Sequence, residues 1–158
     1  MKALRVPCEV KSSAINGDGL FACADISNGE IVAMYPIGAT VITEEKYRKE
    51  QLAGNKLIID TGVRWIGQYY LHGDKLEDED FFNHSFDPNV LYHCGVCLAR
   101  RDIVEGEELT VHYGYFMSDD DATAFVDSET GREVNGFGAT EAIVKSAMEL
   151  IQIMGDKP

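Results

Sequence analysis

No stretch of this chain approaches the roughly 20 consecutive apolar residues that a membrane-spanning helix needs, and no hydrophobic segment of the kind that opens a secretory leader follows Met1–Arg5. A soluble intracellular protein is expected, cytoplasmic, or nuclear in a eukaryote. Positive charge is scarce: 14 Lys and Arg stand against 27 Asp and Glu, a formal charge of -13. That balance argues against nucleic acid or an anionic membrane as partner and would attract a basic one, unless it only keeps the chain in solution. Cysteine is sparse as well. Cys94-Gly95-Val96-Cys97 has His93 beside it but no second cysteine pair, so the four ligands of a zinc site are missing. A thioredoxin-type motif would have to open a helix in a βαβ unit, which the sequence also lacks. No metal is expected; Gly95 reads as a hairpin tip, and Cys8, Cys23, Cys94 and Cys97 as reduced thiols.

What the chain does have is enough length for one core. Its 158 residues, 45% of them hydrophobic, can bury roughly two thirds of the unfolded surface in a single domain. Two segments share one pattern, Phe21–Ile31 and Leu98–Leu109: a short apolar strand, an Asp-Ile corner, a turn closed by Gly-Glu, and a second strand. Gly29 and Gly106 suit the left-handed backbone of such a turn. Further short strands are expected at Val6–Lys11, Ile31–Pro36, Leu57–Asp60, Arg64–Leu71 and Val90–His93, each bounded by Gly, Asp, Asn or Pro. One surface helix is expected at Glu44–Leu52, capped by Thr43.

After Tyr115 the composition shifts. Ser118–Gly138 is rich in Asp, Ser, Gly and Asn and reads as a flank or arm, with Phe125, Val126, Val134 and Phe137 as its few anchors. In Glu141–Met154, Ile143, Ala147, Leu150, Ile151 and Met154 fall at helical spacing, a stripe for core packing or for a homodimer through this C-terminal helix. Glu77–Asp80 and Asp119–Asp121 read as solvated acidic faces.

Polar residues concentrate in two places. Phe82-Asn83-His84-Ser85-Phe86-Asp87-Pro88-Asn89 and Gly106-Glu107-Glu108-Leu109-Thr110-Val111-His112-Tyr113-Gly114-Tyr115 hold an amide, an imidazole, a hydroxyl and phenols at a density that a core or an ordinary turn does not require. Turn chemistry accounts for Ser85, Asp87 and Asn89, but not for Asn83 and His84. A Ser-His-Asp hydrolase is disfavoured, because adjacent His84 and Ser85 point apart. Asn16-Gly17-Asp18-Gly19 can present backbone N–H groups to a ligand, yet lacks the strand-turn-helix setting of a dinucleotide site. Tyr35, Tyr92, Tyr113 and Tyr115 lie at or near strand ends, where a single Tyr is usually a core residue with its hydroxyl at the surface.

Taken in order, these residues resemble SET-domain protein-lysine methyltransferases. The likeness runs from about Arg5 to Phe116, through Asn16–Ala22, the first Asp-Ile-x-x-Gly-Glu, Asn83-His84-Ser85-x-x-Pro88-Asn89 and Gly106-Glu107-Glu108-Leu109-Thr110-x-x-Tyr113. Asn83–Asn89 and Glu107–Tyr115 read most like the histone H3 lysine-4 monomethyltransferases. The resemblance implies a mainly β (α+β) fold, the SET β-clip with a pseudoknot of short sheets, over residues 1–116, with a C-terminal flank and helix over 117–158. It implies S-adenosylmethionine as cofactor, with S-adenosylhomocysteine as product, held by the backbone at Asn16, Gly17, Asp18 and Gly19 with Asn83 and His84. It makes Tyr113 the catalytic phenol, places Tyr35 in the lysine channel, and puts Tyr92 where the family has Phe or Tyr, which points to a monomethyl product. The substrate implied is a basic Lys-containing protein or peptide such as a histone tail.

The chain also departs from the family. Asp80 stands where many members have Arg, Phe86 where many have Cys, and His112 where Asp is frequent, all of which bear on specificity. No cysteine follows Cys97, so a zinc-binding post-SET cluster cannot form and closure falls to Tyr115, Phe116 or the Ser118–Gly138 arm. A non-catalytic SET-like module that binds basic peptides, and a methyltransferase for a non-histone protein, remain the alternatives.

Overall fold

The computed structural model of the chain describes residues 3–35, 38–119 and 125–155. Small sheets dominate. An antiparallel pair joins β1 (Cys8–Ser12) to β2 (Asp18–Ala22). One three-stranded sheet has β3 (Ile31–Met34), β9 (Val96–Ala99) and β8 (Val90–His93) side by side, and another has β4 (Thr40–Thr43), β6 (Tyr69–His72) and β5 (Val63–Ile66). Two residues of β7 (Asn83–His84) run parallel to two of β10 (Thr110–Val111), and β11 (Phe125–Val126) pairs with β12 (Glu133–Val134). The mainly β architecture with a C-terminal helix matches the expected fold class.

The repeated Asp-Ile corners meet each other. Ile26 and Ile103 exchange backbone hydrogen bonds at 2.8 and 2.9 Å, and both side chains are buried. Gly29 and Gly106 take φ of +71° and +91° at their turns, a region that costs a residue with a Cβ appreciable strain. Around this junction Leu20, Val32, Val90, Leu91, Leu109 and Val111 form the core, each stabilising the fold by roughly 1.5–3 kcal/mol through removal from water.

Three local expectations change. Leu57–Asp60 is not a strand but part of helix α2 (Lys56–Thr61), following α1 (Glu44–Leu52). Burial falls on Ile58 and Thr61, three apart, and Lys56 pairs with Asp60 at 2.7 Å across one turn, so the apolar run follows the helical period rather than alternation. Arg64–Leu71 is two strands, broken at Gly67 (φ +55°) into a hairpin. In the strand expected at Ile31–Pro36, β3 ends at Met34 and Pro36 lies outside the described residues, as do Asp120 and Asp121 of the acidic run.

Other local features follow the residues as read. Thr43 caps α1 through its hydroxyl, which accepts from Lys46 N at 3.3 Å, although Tyr47 and Gln51 turn inward and Tyr47 stacks on Tyr70 with ring centres 4.0 Å apart. Cys94 and Gly95, at φ +48° and +89°, form the β8–β9 hairpin tip.

Helix α3 (Ala139–Gly155) is rotated from its expected stripe: Ala142, Ser146 and Ile153 are buried, while Val144, Met148, Ile151 and Met154 are exposed. Polar bonds set that rotation. Ser146 Oγ lies 2.8 Å from His93 Nδ1, and Glu149 accepts from Tyr115 Oη at 2.5 Å and pairs with Arg100 at 3.0 Å. Among the described residues no helix is long and apolar enough to cross a membrane.

Candidate active site

Two groups of residues of different character meet at Tyr113. The first is a hydrogen-bonded polar cluster under the β1–β2 loop. Ser13 N donates to Gly17 O at 2.9 Å, and Gly17 adopts φ +50° with open space where a Cβ would project. Gly19 has no such space. A Cβ there would overlap the Glu108 carboxylate and lie 3.0 Å from Asn83 Nδ2, so only glycine lets these groups come together.

The parallel register of β7 and β10 sets Asn83 opposite Thr110 and His84 opposite Val111, which carries both into the interior. Asn83 Nδ2 then lies 3.1 Å from Asn16 O, 3.2 Å from Asp18 O and 2.7 Å from Glu108 Oε1. Ser13 Oγ lies 2.8 and 2.9 Å from the two Glu108 oxygens and accepts from Ile15 N at 2.9 Å. A single amide and a single carboxylate therefore hold the whole loop in shape.

His84 turns the other way. Its Nδ1 accepts from Tyr113 N at 3.0 Å, so the ring proton sits on Nε2, which is buried with no hydrogen-bond partner. Burial, aided by His112, lowers its pKa to about 4, and the ring is neutral at physiological pH. Glycines at the loop and the Glu108 carboxylate, which accepts from Ser13 Oγ and Asn83 Nδ2, fit a hydrogen-bonding, positively charged ligand such as S-adenosylmethionine.

The second group encloses an aromatic cavity of about 250 Å³. Tyr35, Phe82, Tyr113, Phe116 and Phe125 line it, with Asp60, Glu79 and Asp80 toward one side. Tyr113 Oη donates to Phe82 O at 2.8 Å and Tyr35 Oη to Glu79 O at 2.8 Å. Burial, and then the Glu108 charge, pushes the Tyr113 phenol up to about 12, and burial raises Tyr35 well above its usual range. Both remain protonated, with oxygen lone pairs free to accept. Asp80 is pushed up to about 6 by burial, against a lowering hydrogen bond from Glu77 N, with Glu79, Glu77 and Asp60 adding repulsion. A further cavity of about 520 Å³ shares Tyr35, Val63, Glu79 and Asp80 with this aromatic one and continues past Asp74, Glu77 and Asp78.

Asn16, Gly17, Asp18, Gly19 and Asn83 thus gather in the polar cluster, His84 stands beside it against Tyr113, and Tyr35 and Tyr113 line the aromatic cavity. Tyr92 does not. Its hydroxyl donates to Arg64 O, and its ring stands behind the wall, edge-on to Phe116 at 4.6 Å and 6.4 Å from Tyr35. Of the closure candidates, Phe116 and the arm supply the wall, whereas Tyr115 binds Glu149.

The arm is held at both ends by one buried guanidinium. Arg64 Nη2 lies 3.3 Å from Met117 O, 3.4 Å from Phe137 O and 3.2 Å from Glu44 Oε1. β11 sets the Phe125 ring 4.9 Å from Tyr113 and 5.9 Å from His84, and Ser128 Oγ donates to Ile15 O at 2.8 Å.

Sequence reasoning did not single out Glu108, Ser13, Arg64, Phe125 or Asp60 as site residues. Glu108 lies inside the Gly106–Tyr113 motif, and in sequence Phe125 is only an apolar anchor of the arm. For Ser13, Arg64 and Asp60, nothing in their local sequence marks them.

Comparison with known proteins gives the family of the chain. The SET domain family matches residues 17–114, more than half of the chain. A variant-silencing SET domain-containing protein of Plasmodium falciparum (isolate 3D7) is 29% identical over 122 residues, which cover 68% of this chain and 5% of that much longer relative. The chain therefore spans only a small part of the length of the curated relative it matches.

Proposed function

This chain belongs to the SET-domain family, and from that premise we propose that it is an S-adenosylmethionine-dependent protein-lysine N-methyltransferase acting on a basic, lysine-bearing segment. The observation that carries the reading is the convergence on Tyr113: the polar loop and Asn83 on one side, an aromatic channel with an acidic flank on the other. When bound, the cofactor supplies a methyl group already activated by a positive sulfur. The protein's share is alignment and a neutral amine.

Asn16 to Gly19, Asn83 and His84 hold the cofactor in this reading. The channel walls disfavour an ammonium by desolvation, and lysine, with a reference pKa near 10.4, must lose its proton to act as nucleophile. Because the Tyr113 and Tyr35 hydroxyls already donate to backbone carbonyls, their oxygens can accept N–H groups of the amine and aim its lone pair. Asp60, Glu79, Asp80 and the adjoining acidic cavity favour cationic residues around the target lysine. A histone tail is one such segment, and a lysine-4-type monomethyltransferase is the narrowest form of the proposal. The product is taken to be monomethyl-lysine, with Tyr92 bracing Phe116 and Tyr35 against widening of the channel.

The test is label transfer from S-adenosylmethionine to histones and to a mixture of basic proteins, by wild type and by Tyr113→Phe, with cofactor affinity measured alongside. Transfer by wild type, reduced at least a hundredfold in the variant at unchanged cofactor affinity, is the expected result. Cofactor binding by wild type without transfer to any protein would instead identify a peptide-binding module. Mass spectrometry of the product checks the degree of methylation: Tyr92→Ala, which removes the bracing ring, is expected to shift it toward di- and trimethyl-lysine, and abundant trimethyl-lysine from wild type contradicts the monomethyl reading.

A further inference from the structure

Arg64 is the one Lys or Arg among the described residues that is buried, its side chain 2% exposed on β5. Nη1 donates to Gly67 O at 2.8 Å within its own hairpin, and Glu44 Oε1, 3.2 Å from Nη2, supplies the opposite charge. The same Nη2 reaches much further along the chain, to Met117 O at 3.3 Å and Phe137 O at 3.4 Å. The N–H groups of these two residues hold the segment that bears the Tyr113 phenol. Met117 N donates to Tyr113 O at 3.0 Å, and Phe137 N to Gly114 O at 2.8 Å. Only glycine suits position 114, since a Cβ there would lie 2.8 Å from the Phe137 ring and from His112 Nδ1. The main chain of Arg64 adds a third tie, its N–H donating to Phe116 O at 3.1 Å. Arg64 itself does not line the aromatic cavity.

We propose that Arg64 is a positioning residue for methyl transfer: from behind the channel, through Met117 and Phe137, its guanidinium fixes the backbone that aims the Tyr113 phenol. This rests on the methyltransferase reading above. In-line displacement tolerates little misalignment, and an error of about 1 Å can cost about a hundredfold in rate. A planar guanidinium suits the task because its donors leave in fixed directions, so carbonyls from distant parts of the chain are held at a set angle. A single ammonium on a flexible stem does not do this. Against apolar groups of similar volume a buried ion pair adds little stability, so loss of rate and loss of fold can be separated here.

The experiment follows label transfer from S-adenosylmethionine to the histone or other basic protein that wild type labels. Arg64→Lys is compared with wild type, and the double variant Arg64→Lys/Tyr113→Phe with Tyr113→Phe, alongside calorimetry for the cofactor and circular dichroism for the fold. Arg64→Lys keeps the charge beside Glu44 and removes the fork. It is expected to lower kcat about tenfold, with KM for the basic protein and cofactor affinity within about twofold of wild type. In the Tyr113→Phe background no phenol hydroxyl remains to be aimed, so the same change should lower kcat no more than about twofold. Equal losses in both backgrounds, a loss confined to KM, or an unaltered kcat overturns the proposal. Should Arg64→Lys not fold, Arg64→Met combined with Glu44→Met, which removes both charges, is expected to fold and to give the same two ratios. Failure of both variants to fold makes Arg64 a stability element and overturns the proposal as well. Wild type that labels no basic protein defeats the enzyme reading itself, whereas an active wild type with kcat indifferent to Arg64 defeats this inference alone.

Discussion

The polar cluster around Asn83 and the aromatic channel lie on either side of Tyr113 and are built on opposite principles. The cluster is a lattice of polar bonds: one amide reaches two loop carbonyls and a carboxylate, and one serine reaches both oxygens of that carboxylate. The channel is a set of rings, Tyr35, Phe82, Phe116 and Phe125, brought from separate parts of the chain and held by packing. Hydrogen bonds fix atoms within a few tenths of an ångström, which suits a ligand of constant shape. Apolar walls exclude water and disfavour charge while tolerating variation in what passes along them, which suits a side chain that must arrive charged and react neutral.

The contrast is sharpest at Asn83. Replacing it with Ala removes the donor shared by Asn16 O, Asp18 O and Glu108 Oε1 and leaves a carboxylate and two carbonyls under-satisfied. Stability should fall by about 2–3 kcal/mol in denaturant titrations, and cofactor affinity by about thirtyfold or more in calorimetry. Unchanged cofactor affinity would show that the loop is not held by this lattice.

Phe125→Ala should produce the complementary pattern with a smaller effect. It opens the channel wall beside Tyr113 and touches none of the polar bonds of the loop. KM for a basic peptide should rise about tenfold while cofactor affinity stays within about twofold. A cofactor defect as large as the peptide defect would mean that the two regions are one.

The same contrast explains what could be read from the residues alone. Of the residues in and beside the polar cluster, Asn83-His84 and Gly106–Tyr113 stand out in sequence because they hold more polar groups than turns require, whereas Asn16–Gly19 has ordinary turn composition and is singled out only through the family resemblance. Strand Val90–His93, the Thr43 cap and the Cys94-Gly95 tip were legible for a related reason, since each is fixed by its own neighbours. The channel was legible only in its tyrosines. Its remaining walls depend on α2, where a three-residue apolar run hid a helical period, and on β11, whose Phe125 is one anchor in a polar arm and acquires its place through Arg64, about sixty residues away. Rotation of α3 was hidden likewise: His93, Tyr115 and Arg100 dictate it from outside the helix.

Where the channel does contain charge, pH separates the two regions, with the smallest effect of the series. The Asp80 carboxyl, raised by burial to about 6 from an ordinary 3.8, gains most of its charge between pH 5 and 7. A cationic substrate should bind more tightly across that interval, so KM for a basic peptide should fall about threefold as pH rises through 6, beyond any change in kcat from the lysine itself. Asp80→Asn should flatten that trend and leave cofactor affinity untouched. The stability effect has the opposite sign. A carboxyl whose folded pKa is raised binds more protons in the folded state between 3.8 and 6, so its contribution is fully present below 3.8 and is lost as pH rises through 6. Asp80→Asn should therefore melt at a higher temperature than wild type at pH 7 and at nearly the same temperature near pH 4. A variant that loses affinity for basic peptide while gaining thermal stability at neutral pH would mark Asp80 as a charge kept for the substrate; one that changes neither would confine recognition to Asp60 and Glu79.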